Sequence, residues 1–392
     1  MKEKQTKWIK KRHAFIFKTL SPLFKLHFKV KYNLEAFPCE DKVPHPALIM
    51  SNHLTTMDPF MMALSFKRPI YYITSDDLFT IPVVSPIIKW LVAPIPKAKS
   101  KSDLNTVRST LKVLKEGGTV AVFPEGNRSL SGGSWHIDVS TAKLVKMSKV
   151  PLVLYNIKGG YGADPRWGKA VRKGKVTCDM VKIISAEDIA KMSVEEIYKE
   201  IVDNLVSNDF ESGVKFKSKS RAEFLERALY FCPKCKSFNT LYSHKEKLYC
   251  KCCDFSTEYT EDLQFKNLGD RPYGANVKEW FDNQLKALER YSKEKKGKLF
   301  GDNCVEARLV YDGKRHKLGR ADIASEKDKV IVTLKNGTVH KAEFDGIYGV
   351  TVVGKRKINF YLPGDKTLQI KGSKRFNGVK YLHLYELYKK ES

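Results

Sequence analysis

The chain has 392 residues, 42% hydrophobic and 29% charged, with a formal net charge of +27. That length and balance exclude a disordered chain and leave room for two or three domains with at least one sizeable core. The cationic excess points to a polyanionic partner, either nucleic acid or an anionic membrane surface.

Residues 1–35 carry ten Lys/Arg against Glu3 and Glu35, interleaved with Trp8, Ile9, Phe15, Ile16, Leu20, Leu23, Phe24 and Phe28. Ser21-Pro22 suits an N-cap and first helical position. Two short basic amphipathic helices are expected, suited equally to a membrane interface or to packing on the chain's own domain. The basic start has neither a long apolar core nor a small-residue cleavage site, so no secretory signal is expected. The most apolar stretch, residues 78–96, is broken by four prolines and Lys89. No spanning helix is therefore expected, and the eight cysteines should be reduced or metal-bound in the cytoplasm.

Residues 36–215 read as an α/β domain. Its candidate strands are "ALIMSNH", "TVAVFPEGNRS" and "VPLVLYNI". A helix "LNTVRSTLKVLKEGG" stops at Gly117-Gly118, and another, "SVEEIYKEIVDNL", opens with a capping box from Ser193 to Glu196. Short apolar strands alternating with helices predict a mixed, largely parallel sheet flanked by helices. Residues 211–230 read as a basic connector that becomes helical and residues 231–258 as a cysteine cluster, with connector and ribbon assigned together to residues 216–258. Residues 259–300 read as a helical linker, and residues 301–392 as a β-rich domain with a C-terminal helix. Asn336-Gly337 signals a hairpin within it.

Two strand ends carry chemistry-bearing residues. In "IMSNHLTTMDPF", His53 could act as a base oriented by Asp58, since a carboxylate on one imidazole nitrogen fixes tautomer and orientation. Asp58 before Pro59 is also an ideal N-cap, and His53 an ordinary buried histidine, so this stretch alone leaves both readings open. In "VAVFPEGNRSLSGG", Glu125, Gly126 and Arg128 leave a buried strand. Arg128 offers a planar fork for phosphate, and Glu125 could accept from substrate hydroxyls or position the arginine.

"NHLTTMD" followed at this distance by "FPEGNRS" resembles the glycerolipid acyltransferase family, typified by 1-acylglycerol-3-phosphate acyltransferase. "DDLFTIPVVSPIIKWLVAPIPKAK" and "VPLVLYNIKGG" resemble that family's second and fourth blocks, and the basic start resembles its membrane-seated helices. The resemblance covers roughly residues 10–210. It implies direct transfer of a fatty-acyl group from acyl-CoA or acyl carrier protein to a lysophospholipid hydroxyl. His53 would be the general base, Asp58 its orienting acid, and the amides after His53 oxyanion donors. Glu125, Gly126 and Arg128 would hold the acceptor, with Lys97 or Lys99 as further cations. Departures gather on the acceptor side: Leu54, Thr55, Asn127, and lysines where an arginine is typical. The implied seat is the cytoplasmic face of an anionic membrane, peripheral or monotopic.

Cys232, Cys235, Cys250 and Cys253 form Cys-x2-Cys, fourteen residues, Cys-x2-Cys, which predicts a closed structural Zn2+ ribbon with Cys252 as a spare. A zinc ribbon in a cationic chain also describes a nucleic-acid binder. The lack of an aromatic-basic stacking face, a helix-turn-helix or an RNA-recognition block argues against that reading. A catalytically silent membrane adaptor is the third alternative. The last 90 residues are vaguely similar to pleckstrin-homology-like domains, with basic turns at "VVGKRKINFY" and "IKGSKRFNG" that could touch phosphorylated head groups or simply form a solvated rim.

Overall fold

The computed structural model describes residues 7–75, 78–79, 84–97, 104–206, 208–266 and 273–391. The chain divides into two compact units, Met1–Pro165 with Val171–Phe216, and Arg166–Ala170 with Lys217–Ser392.

In the first unit α1 (Lys11–Tyr32) is followed by β1 (Leu34–Ala36), β2 (Leu48–Ser51), α2 (Asp58–Ala63), β3 (Ile70–Ser75), α3 (Val84–Leu91), β4 (Ile95–Lys97) and α4 (Leu104–Lys115). Then come β5 (Thr119–Val122), α5 (Ser140–Ser148), β6 (Leu152–Lys158), α6 (Gly160–Ala163), β7 (Val176–Ile184), α7 (Ala186–Lys191) and α8 (Val194–Asn204). The seven strands lie in the order β1-β7-β6-β2-β5-β3-β4. Only β6 and β7 run antiparallel, so the sheet is mixed, largely parallel and flanked by helices, as the strand–helix alternation predicts. All four residues of β2 and of β5 are buried, because such a sheet is covered on both faces. Leu48, Met50, Val120, Leu152 and Leu154 pack with Val113, Leu114, Val145, Ile197 and Ile201 into one core.

The local stop and start signals operate. Gly117 adopts φ 86° and Gly118 N–H donates to Val113 O at 2.9 Å, which closes α4. Ser193 and Glu196 form the capping box of α8. The N-terminal segment differs from expectation: α1 is one 22-residue helix with Pro22 inside it. Ser21 does not cap; its hydroxyl donates to Phe17 O at 2.7 Å. Burial of His13, Phe28 and Tyr32, and the bond from Tyr32 to Asp164 at 3.2 Å, offset the cost of an interior proline. Among the described residues no helix is long and apolar enough to cross a membrane.

In the second unit β8 (Leu241–His244), β9 (Lys247–Cys250), β10 (Ser256–Tyr259) and β11 (Phe265–Lys266) form a small antiparallel sheet. Helix α9 (Val277–Glu294) leads to β12 (Phe300–Tyr311), β13 (Lys314–Ser325), β14 (Lys329–Leu334), β15 (Val339–Glu343), β16 (Gly349–Val353), β17 (Lys357–Leu362), β18 (Lys366–Lys371) and α10 (Val379–Glu391). The second sheet runs β15-β14-β13-β12-β18-β17-β16, antiparallel throughout. Asn336-Gly337 does turn a hairpin. It is a three-residue loop closed by Leu334 N–H on Thr338 O at 2.8 Å, and only Gly337 is left-handed. Residues 211–230 do not become an α-helix; a single 3-10 turn forms at Leu225–Arg227. Long-range bonds decide this: Arg227 donates to Lys374 O at 2.8 Å and Trp167 O at 2.9 Å, and Asn377 to Glu226 O at 2.8 Å. Nor is α9 a bare linker. It buries Trp280, Phe281, Gln284 and Leu288, and Gln284 bonds Tyr230 N and Ala228 O, both at 2.9 Å.

Candidate active site

The parallel strands β2, β5, β3 and β4 all end on one edge of the first unit's sheet, the edge where open α/β sheets place their ligands. His53 follows β2, Glu125 to Arg128 follow β5, and Lys97 closes β4.

Imidazole Nδ1 of His53 lies 2.8 Å from Oδ2 of Asp58, whose side chain is fully buried. Asp58 is not the cap of α2 but its first residue, after Met57. Its carboxylate reaches backward instead, accepting from Leu54 N–H at 2.6 Å, Thr55 N–H at 2.9 Å and Thr55 Oγ1 at 2.6 Å. Thr55 Oγ1 in turn accepts from Met57 N–H at 3.0 Å. The amides at 54, 55 and 57 are thus committed to the acid and its support, which removes them from the oxyanion role expected for this turn. The Asp58 contact favours the Nδ1–H tautomer, which makes Nε2 the ring nitrogen able to accept a proton. Phe123 stacks on the imidazole at 4.4 Å between centroids.

The loops after β2 and β5 clasp each other through the backbone. His53 N–H donates to Glu125 Oε1 at 3.0 Å, and Ser129 N–H donates to His53 O at 3.0 Å. The other oxygen of Glu125 accepts from Trp135 N–H at 2.9 Å. Glu125 therefore braces the loop after β2 against its own. Burial pushes its carboxyl up to about 7, the two amide donors opposing and the charge of Asp58 reinforcing the shift. Gly126 turns the loop at φ 65° with nothing within 4 Å of where a Cβ would stand. Arg128, half-buried, donates from Nη1 to Thr56 Oγ1 at 2.6 Å, and its carbonyl accepts from Trp135 Nε1 at 3.1 Å. One cluster thus joins His53, Asp58, Glu125 and Arg128. Lys97 is exposed on the sheet-edge strand, three strands from β2, about 14 Å of sheet at the usual spacing. Lys99 lies outside the described residues. Thr56, Phe123 and Trp135 complete the cluster without having been singled out by motif, and Thr55, noted only as a departure, supports Asp58; each acts through a contact that only the fold creates.

The same unit exposes an apolar stripe. Phe15, Leu23, Leu26 and Val30 of α1 are 64–79% exposed and fall on one helical face flanked by Lys18, Lys25 and Lys29. Phe60 of α2 is also exposed and stacks on Phe24 at 5.3 Å; Ile87, Trp90 and Val92 at α3 add to the exposed apolar surface.

In the second unit the sulfurs of Cys232, Cys235, Cys250 and Cys253 all lie within 4.8 Å of one another, with Cys232–Cys253 and Cys235–Cys250 each 3.7 Å apart. A tetrahedral zinc with bonds of about 2.3 Å requires sulfur–sulfur edges of about 3.8 Å, so the cage fits that ion. Cys252, exposed, stays outside the cage; its N–H donates to Cys250 Sγ at 3.3 Å. His244 is exposed.

Residues 31–158 match the acyltransferase family. Among similar proteins are a chloroplastic 1-acyl-sn-glycerol-3-phosphate acyltransferase of Arabidopsis thaliana, 29% identical over 31% of this chain and 34% of its own length, and a 1-acyl-sn-glycerol-3-phosphate acyltransferase of Borreliella burgdorferi, 27% identical over 28% and 45%. That of Saccharomyces cerevisiae is 24% identical over 44% and 59%. The chain therefore spans 34–59% of the length of these relatives. A solved structure, the 1-acyl-sn-glycerophosphate (LPA) acyltransferase PlsC of Thermotoga maritima, aligns over 49% of this chain and 78% of its own at 22% identity, with a TM-score of 0.42. The matched residues contain both clasped loops, His53 to Asp58 and Glu125 to Arg128, so the similarity to the acyltransferases runs through the site itself.

Proposed function

We propose that the protein is a membrane-surface acyltransferase that moves a fatty-acyl group from an acyl thioester, on CoA or acyl carrier protein, to the hydroxyl of a lysophospholipid. The acceptor class that fits best is 1-acylglycerol 3-phosphate, giving phosphatidic acid. The observation that carries this reading is the 2.8 Å contact of His53 Nδ1 with buried Asp58, on a loop bonded to the one that bears Arg128.

In this reading Nε2 of His53 takes the acceptor hydroxyl's proton as the oxygen attacks the thioester carbonyl, and Asp58 stabilises the imidazolium that forms. The tetrahedral intermediate then expels the thiolate carrier, which takes up the proton. Arg128 pairs with the acceptor's phosphate, and Glu125 acts by bracing rather than by binding. Lys97 supplies longer-range positive charge only. The names of the similar proteins support the acceptor class. The apolar stripe of α1 with its flanking lysines suits a helix lying in an anionic interface on the cytoplasmic side. The four cysteines would hold one structural Zn2+, which closes the hairpin pair and takes no part in transfer.

The test is a panel of lysophospholipid acceptors with labelled acyl-CoA and acyl carrier protein. Phosphate-bearing lysophosphatidic acid should be the preferred acceptor, and His53→Ala should lose about 10²–10⁴-fold in turnover while binding vesicles normally. Arg128→Ala should raise the acceptor KM more than the donor KM. Undiminished turnover in the histidine variant would end the assignment. Retention on anionic vesicles against duplex DNA at matched salt separates this reading from a nucleic-acid binder.

A further inference from the structure

The second unit contains a cationic cavity that acyl transfer does not use. It has a volume of about 360 Å³ and is lined by residues of β12, β13 and β18 and of the turns after β16 and β18. Four cations, Lys317, Arg320, Arg356 and Lys371, face one carboxylate, Glu306. The two basic turns noted in the sequence converge here: Gly372 N–H donates to Arg356 O at 3.0 Å, which locks one turn to the other.

The registry explains the concentration of charge. Arg320 pairs with Glu306, Glu306 with Lys371, and Lys371 with Lys357, in one row across four strands. Directly paired residues share a face, and like charges placed opposite one another destabilise a sheet. The Lys371–Lys357 pair therefore costs stability rather than adding to it. Glu306 offsets only part of this charge, because its one carboxylate is shared between Arg308, outside the lining, at 2.8 Å and Lys371, one of the four cations, at 3.3 Å. These contacts hold its carboxyl below the usual range, Arg308 contributing most. Lys317, Arg320 and Arg356 then have no second carboxylate in the lining. The wall stays open at Gly319, which sits beside a bulge between Ala307 and Arg308, adopts φ 128° and has nothing within 4 Å of a Cβ position.

We infer that this cavity binds the phosphate group of a small phosphorylated ligand, at a site belonging wholly to the second unit and distinct from the proposed acceptor site. The guanidinium groups of Arg320 and Arg356 offer planar donor forks that match phosphate oxygens, Lys317 and Lys371 supply point charges, and the Ser373 hydroxyl supplies a further donor. A phosphomonoester brings a charge of about −1.5 to −2 at neutral pH, which complements the surplus. The volume admits a head group or a phosphorylated metabolite.

The shared chemistry has two sources, a lipid head group or a soluble phosphate ester, which one experiment separates. Inorganic phosphate is titrated calorimetrically into the full chain carrying Arg128→Ala, so that the proposed acceptor site is silent. In parallel the chain is floated on phosphatidylcholine vesicles with and without phosphatidic acid. Adding Lys317→Gln and Arg356→Gln should weaken phosphate binding at least about tenfold. A charge-matched control, Lys286→Gln with Lys296→Gln, should not. If phosphatidic acid-dependent flotation falls only in the cavity variant, the ligand is a head group; if flotation is equal in the two variants, it is soluble. Absence of phosphate binding in the parent, equal binding in the cavity variant, or equal weakening in the control would overturn the inference.

Discussion

Asp58 receives four donors from three residues, the His53 imidazole, two amides and the Thr55 hydroxyl. Its oxygens are thereby filled from within its own loop, which fixes in place the carboxylate that orients the imidazole. Asp58→Asn should therefore cost about 10²–10⁴-fold in kcat, whereas Thr55→Val, which removes one support, should cost about tenfold; equal losses would mean that Thr55 touches the reacting atoms. Glu125 yields a pH prediction. Its folded value of about 7 lies above the 4.5 of an ordinary glutamate, so the folded chain holds this proton more tightly than the unfolded one. Stability should fall as pH rises from about 4.5 to 7, by about 3 kcal/mol from this group. Glu125→Gln should remove that part of the slope in thermal melts scanned over the interval, and an unchanged slope would refute the assignment. The pairing of His53 with Asp58 was legible because five residues separate them. The bracing role of Glu125 was not, because its partners are backbone amides 72 and 10 residues away, and no side-chain motif encodes a backbone donor.

Elements whose ends are set locally were read correctly from sequence, as the glycine stop of α4 and the capping box of α8 show. Elements set by distant contacts were not. The continuity of α1 through Pro22 rests on burial of Phe28 and Tyr32, and the failure of residues 211–230 to form a helix rests on bonds to residues 167, 374 and 377. The α1 stripe carries a prediction of its own. Replacing Leu23, Leu26 and Val30 by serine should sharply lower binding to anionic vesicles, since each removes apolar area worth about 1.5–3 kcal/mol when buried. Turnover of a short-chain, water-soluble acceptor should hardly change. Unaltered vesicle binding would assign the lysines, not the apolar stripe, to membrane contact.

At the scale of the molecule, the cysteine spacing disclosed a cluster of four thiols, but not that the small sheet, α9 and the C-terminal sheet group as one compact unit. No shift in composition marks that grouping. The zinc proposal predicts about one zinc per chain by elemental analysis. Chelation should lower the melting temperature of the second unit, because metal binding free energy is folding free energy, and should leave hydrogen-exchange protection at β2 and β5 intact. A metal-free chain with unaltered melting would exclude a structural ion.

The five residues Arg166–Ala170 belong to the second unit although the first resumes at Val171. Trp167 is buried there, edge-on to Tyr259 at 5.8 Å, and its carbonyl accepts from Arg227. The polypeptide accordingly crosses between the units three times, and no single cut separates them. A fragment ending at Phe216 would keep every group of the His53 cluster yet carry a stranded tryptophan on a short excursion, a sticky handle inviting aggregation. Excising the first unit cleanly calls for a polar graft across 166–170 as well as a stop codon.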